Sequence, residues 1–148
     1  MRDFEIQTDH FQFYFGDARH GPGADCEGMW DEGGALVLVM GPDRDVFGVG
    51  TVRYGGTTHI QAGVVAGRAE VSAAAEWEIL GEFQLEVPSG KVLFWAAEDA
   101  DLTGAQAIQL APGKYRGLVQ ASGADAVEDA MDKDGPDVYR VSFWLDAG

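Results

Sequence analysis

Carboxylates are the side chains with which this chain could do most, and they gather in two places. Glu76, Glu78, Glu82, Gln84 and Glu86 alternate with Trp77, Ile79, Phe83, Leu85 and Val87, with Gly81 the only gap in the apolar series. A period of two predicts a half-buried strand, apolar on one face and carboxylate-bearing on the other. The second gathering lies between 122 and 137: Asp125, Glu128, Asp129, Asp132, Asp134 and Asp137 against Lys133 alone. Either set could present fixed negative charge to a cationic partner. The run Asp132-Lys-Asp134-Gly135-Pro-Asp137 also suggests Ca²⁺, a hard ion that takes several oxygen ligands. Its glycine comes one step too early for an EF-hand loop, and no helix pair flanks it, so a solvated acidic loop is the favoured reading and a Ca²⁺- or small-ligand-binding module the alternative.

Other chemistry finds little support. Cys26 follows His20 by six residues in a glycine-rich stretch, but no local signature of a nucleophile and its base surrounds them. The three histidines, His10, His20 and His59, lack the close spacing of a compact metal clamp. Gly48-Val49-Gly50 starts like a dinucleotide fingerprint, yet Arg53 stands where the third glycine belongs. The residues that follow read as strand, so no helix N-terminus is there to hold a pyrophosphate. No catalytic set and no cofactor are expected, and the chain reads as a binding protein rather than an enzyme.

The elements that must carry these carboxylates are strands. Phe4 and Ile6 alternate, and Phe11, Phe13 and Phe15 alternate in the opposite parity. The slip at Thr8-Asp9-His10 predicts two segments joined by a bulge or tight turn. Gly16 to Gly34 reads as a long loop, and Ala35 to Met40 as a continuous apolar strand buried on both faces if it sits centrally. Further strands are predicted over 46–54, 57–65, 76–87, 91–97, 105–110, 114–121 and 138–145, with turns at Gly41-Pro42, Gly55-Gly56, Pro88-Ser89-Gly90 and Ala111-Pro112-Gly113. Residues 68–75 are ambiguous, because Ala73-Ala74-Ala75 favours helix while its neighbours favour sheet. Ser122 and Asp125 have capping-box spacing, so 122–137 is either a short helix or an acidic loop. Eight or nine strands at this spacing predict an all-β antiparallel sandwich with Trp77, Trp95 and Trp144 supplying core bulk, and 148 residues make one domain, 1–148.

Composition narrows the partner. A formal charge of −15 and a pI near 4.3 repel nucleic acid and anionic membranes, and the basic residues form no run. A basic protein would be attracted. The lone cysteine, the charged start Met1-Arg2-Asp3 and the short longest apolar run point to a soluble cytoplasmic protein.

The layout resembles the inhibitor family of the DNA-entry nuclease of bacterial competence systems. The residues that carry the likeness are the strand pair Phe4 to Phe15, the glycine-rich acidic stretch after it, the apolar strand 35–40 and the amphipathic strand ending Phe83-Gln-Leu-Glu-Val87-Pro88. To these is added Leu110-Ala-Pro-Gly113-Lys-Tyr115-Arg-Gly-Leu118, which is similar to that family's late L-x-x-G-x-Y-x-L stretch. The acidic stretch 122–137 departs from the family pattern. The resemblance implies stoichiometric inhibition of a nuclease, with fixed carboxylates competing for the cations that receive phosphates. Contact is expected on Glu76, Glu78, Glu82 and Glu86, or on Asp125, Glu128, Asp129, Asp132 and Asp134.

Overall fold

The computed structural model describes residues 1–19, 36–41, 45–68, 76–96 and 106–146. Within them ten strands run in order: β1 (Arg2–Thr8), β2 (Gln12–Asp17), β3 (Leu38–Met40), β4 (Val46–Gly50), β5 (Gly56–Val64), β6 (Glu78–Val87), β7 (Lys91–Ala96), β8 (Gln106–Gln109), β9 (Gly113–Ser122) and β10 (Val138–Leu145). They form two five-stranded sheets, β1-β5-β10-β9-β6 and β3-β4-β2-β7-β8. The all-β expectation holds, with ten strands in place of eight or nine. The pairing is antiparallel throughout except where β10 runs parallel to β5. Hairpin-style turn signals cannot show such a pair, since parallel neighbours require a crossover.

The inner faces share one core. Phe13 and Phe15 from β2, Phe94 from β7, Phe83 and Leu85 from β6, and Tyr139, Val141 and Phe143 from β10 are all buried. Phe15 lies 5.0 Å from Phe83 across the sheets and 5.6 Å from Phe94 within its own sheet, ring centre to ring centre. Gly117 permits this approach, because a Cβ there would meet the Phe83 ring at 2.0 Å.

Three strand expectations are corrected. Ala35–Met40, read as a strand buried on both faces if central, is described from residue 36 and supplies only the short edge strand β3, with Leu38 and Val39 half-buried and Met40 exposed. An edge position accounts for this, because among the described residues no strand pairs beyond β3. Strand β6 loses its alternation at a bulge between Ile79 and Gly81. Phe83, Leu85 and Val87 point into the core as the pattern demands, whereas Ile79 is 48% exposed. Trp77 likewise sits outside the core, over the Arg140 guanidinium at 3.9 Å. Trp95 is buried and Trp144 half-buried.

Residues 122–137 contain neither a full helix nor a capping box. A single 3₁₀ turn, Ala124–Ala126, follows Gly123, which has φ 76° and no side-chain cap. The serine of the expected box, Ser122, is still the last residue of β9. The alternative reading, a loop rich in carboxylates, is the one observed.

Candidate partner-binding site

The β6 stripe is dismantled by register. Glu78 stands opposite Ala121 of β9, whose side chain faces the core, while Glu82 stands opposite Leu118 on the outer face. The bulge between them therefore sends the two glutamates to opposite sides of the sheet. Glu76 precedes the strand. On the outer face, Glu82 pairs with Arg68, and Glu86 pairs with Lys114, its direct cross-strand neighbour, at 3.5 Å. Arg116, on the same face, reaches Asp146 at 3.4 Å. Glu76, Glu78, Glu82 and Glu86 are all exposed, but cations alternate with the last two.

The loop from Gly123 to Asp137 differs in kind. Its anchor is Arg53, 1% exposed, whose guanidinium meets an equally buried Asp137 at 2.6 Å (Nε to Oδ1). The remaining donors of Arg53 go to backbone carbonyls: Gly55 at 3.1 Å, Asp132 at 3.1 Å and Thr57 at 2.5 Å. Tyr139 donates its hydroxyl proton to Asp137 Oδ2 at 2.9 Å and accepts the Val52 N–H at 2.9 Å. Burial drives the Tyr139 hydroxyl far above its ordinary range, so it stays a donor. A buried ion pair is tolerated only when its spare hydrogen-bonding capacity is used, and here the guanidinium and both carboxylate oxygens are engaged.

Backbone bonds complete the clamp. Tyr54 N–H donates to Ala130 O and Thr57 N–H to Lys133 O, both at 2.7 Å. Gly56, at φ 92°, lets the chain pass Lys133, since a Cβ there would stand 2.3 Å from the Lys133 carbonyl oxygen. The loop is thereby fixed from beneath. Asp125, Glu128, Asp129, Asp132 and Asp134 are all exposed. Among the described residues, Asp125, Glu128, Asp129 and Asp132 have no cation within ion-pair distance. Asp134 is the exception, 2.7 Å from His59 Nε2. That hydrogen bond, together with the Gly135 N–H, holds its carboxyl below the usual range.

No signal in the sequence singled out Arg53 as the anchor. It stood as one of several dispersed basic residues, and its partner Asp137 is 84 positions away. Of the other candidate chemistry, His10 leans on Tyr54 at 5.5 Å and His59 lies between Glu5 and Asp134, so the two do not meet. Cys26 and His20 lie outside the described residues. Among the described residues no three His, Cys, Asp or Glu side chains converge as a group that could hold a metal ion. No helix among the described residues is long and apolar enough to cross a membrane.

Comparison with known proteins finds the architecture elsewhere. The structure of ComJ, the inhibitor of the DNA-degrading activity of NucA from Bacillus subtilis, superposes with a TM-score of 0.63, covering 99% of this chain and 96% of that one at 10% identity. Crocagin biosynthetic gene J superposes with a TM-score of 0.57, covering 99% of each chain at 18% identity. The layout resemblance to the competence nuclease inhibitor is thus borne out as a shared fold. No family model matches the chain, and no curated protein matches it in sequence.

Proposed function

We propose that this chain is a non-enzymatic, acidic binding protein that inhibits or neutralises a basic protein, a nuclease in particular. The observation that carries the proposal is the set of exposed carboxylates on a loop that Arg53 anchors, of which Asp125, Glu128, Asp129 and Asp132 have no ion-pair partner among the described residues. A nuclease groove presents cations at positions suited to phosphates, and carboxylates already in place can occupy them without an ordering cost. Negative potential also speeds encounter, an effect that weakens as salt rises. The fold shared with a nuclease inhibitor supports the same direction.

Contact is placed on Asp125, Glu128, Asp129, Asp132 and Asp134 ahead of the β6 glutamates. Glu82 and Glu86 would have to leave Arg68 and Lys114 to meet a partner's cations, and Glu78 faces away from them. The test is inhibition of purified NucA, and of the nuclease encoded nearest this gene, at low and high salt. Stoichiometric inhibition that weakens with salt is expected. Undiminished cleavage of DNA by both enzymes at excess protein and low salt would sink the inhibitor role.

A further inference from the structure

We propose that the free edge of β6 accepts an extended segment of a protein as an added strand, in a groove that no residue of the acidic loop lines. The two sides of the sandwich are closed unequally. On one side β1 meets β7 and β8: Phe4 lies 5.2 Å from Phe94, and Arg2 donates to the Ala107 carbonyl and, at 3.0 Å, to Gln106 Oε1. On the other side β3 and β6 are the edges, and Leu38 covers Gly81 so closely that a Cβ there would stand 3.1 Å from it. Past that contact a groove of about 1070 Å³ follows Gly81 to Glu86, bounded on its inner side by Met40 and Phe47 and on its outer side by Arg116 and Trp144.

Two observations mark this edge as incomplete. Met40 stands opposite Phe47, a core residue, and therefore points inward, yet it is 48% exposed. The backbone also lacks partners: among the described residues that of Glu78 to Glu86 hydrogen-bonds to β9 alone, and no strand pairs beyond β6. Sheet edges are commonly blunted by brevity, proline, lysine or a bulge. Strands β3 and β8 have three and four residues, whereas β6 has ten. Its bulge lies towards one end, between Ile79 and Gly81, and residues 82–87 contain neither lysine nor proline. An unblunted edge beside a partly apolar groove suits strand addition, in which backbone bonds give affinity and alternate side chains give specificity.

Charge selects the occupant. An added strand would send alternate side chains inward, in line with Phe83 and Leu85 and toward Met40, and the others outward beside Glu82, Gln84 and Glu86. A second copy of this chain fits badly. Paired antiparallel about Glu82 or Gln84, it would set glutamate opposite glutamate, and each copy carries a charge of −15. Arg68 and Lys114 already pair with Glu82 and Glu86, so the outward positions require no cation but exclude carboxylates. The segment that fits is apolar at every second residue and neutral or basic between.

The experiment uses the full chain and a synthetic peptide with valine at every second position and threonine or lysine between. Fluorescence anisotropy of the labelled peptide should show saturable binding, and amide exchange should slow over Glu82 to Glu86 while the β8 edge is unchanged. Methylating the backbone nitrogens of the peptide should abolish binding; retention would mean that the groove takes side chains rather than a strand, and would overturn the proposal. Glutamate in place of the threonines and lysines, or Met40→Glu at this exposed position of the protein, should each weaken affinity about tenfold. Affinity unchanged by both would place the peptide elsewhere and overturn the proposal. So would the absence of binding at millimolar peptide, or a wild-type dimer in light scattering that Met40→Glu separates, which would give the edge to a second copy. None of these readouts involves a nuclease or the acidic loop, so the inhibitor role can fail or hold without deciding this one.

Discussion

Two acidic regions with similar sequence signatures come to opposite ends in this fold. On β6 the glutamates share one parity, interrupted by Leu80, yet a single extra residue at the bulge divides them between faces, and β9 sets Lys114 and Arg116 on the outer face beside Glu82 and Glu86. In 123–137 the spacing is irregular, yet Asp125, Glu128, Asp129, Asp132 and Asp134 are all exposed, and all but Asp134 lack an ion-pair partner among the described residues. The difference lies in what each backbone is bonded to. A strand's outward side chains are shared with its neighbours by register, so their charge is decided by the next strand. A loop clamped through its backbone, by a buried guanidinium from the connection between β4 and β5, leaves most of its carboxylates without a cation partner among the described residues.

Removing the clamp gives the largest expected effect. Arg53→Met strands the Asp137 carboxylate in the core and should cost about 3–5 kcal/mol. Chemical denaturation measures it. Replacing both partners by apolar residues is often neutral at buried pairs, but here the carbonyls of Gly55, Asp132 and Thr57 would also lose a donor. The double variant Arg53→Met/Asp137→Leu should therefore remain destabilised. Recovery of wild-type stability would show that the guanidinium serves Asp137 alone and leaves the loop unanchored.

Charge reversal sharpens the contrast at the partner. Asp129→Lys/Asp132→Lys should weaken nuclease binding at least tenfold, about 1.4 kcal/mol. Glu82→Lys/Glu86→Lys should change it several-fold less, since each parent carboxylate already faces a cation. Calorimetric titration at one fixed salt concentration compares them. The reverse order would move the contact to β6.

This outcome also marks how far the sequence could be read. Periodicity located nearly every strand, and Phe83-Gln-Leu-Glu-Val87 faces the core as its alternation requires. The bulge left a single mark, the apolar Leu80 within the carboxylate parity, which one residue beside the gap at Gly81 does not separate from a chance exception. Met40 and Val39 showed apolar type without showing that β3 would lie at an edge. The loop carbonyls that Arg53 holds are backbone atoms, with no residue type to announce them. Such a clamp depends on which inter-sheet connection lies against which loop, a matter of sheet order rather than local pattern. The turn at His10-Phe11 was visible only as a parity slip; its positive φ values contradict local preference.

Acidity provides a third test, smaller in effect. Asp17 is buried; burial pushes its pKa upward, but the Arg19 and Ser89 hydrogen bonds and the Arg19 charge outweigh it, leaving the carboxyl below its ordinary 3.8. Asp134 is lowered too, chiefly by His59 and the Gly135 N–H. A folded pKa below the unfolded one means that the unfolded chain binds more protons in the window between them. The stabilisation from each is accordingly complete above 3.8 and disappears as pH falls through the folded pKa. Asp17→Asn should flatten this acid limb in urea melts taken across pH 2 to 5, about the range of carboxylate titration. An unaltered limb would assign the acid sensitivity elsewhere.

The smallest effect belongs to the stripe itself. Glu86 and Lys114 are both largely exposed and meet at 3.5 Å across β6 and β9. Exposed pairs of this kind return roughly 0.2–1 kcal/mol after the entropy of fixing two long side chains. A double-mutant cycle with Glu86→Ala and Lys114→Ala should give a coupling within that range, shrinking as salt is added. Such a coupling would still matter for function, because it is the first cost a nuclease would meet in drawing Glu86 away from its neighbour. A coupling indistinguishable from zero at low salt would free the β6 carboxylates and make the two regions competitors for the same partner; a measurable one keeps the loop as the surface whose charge is available from the outset.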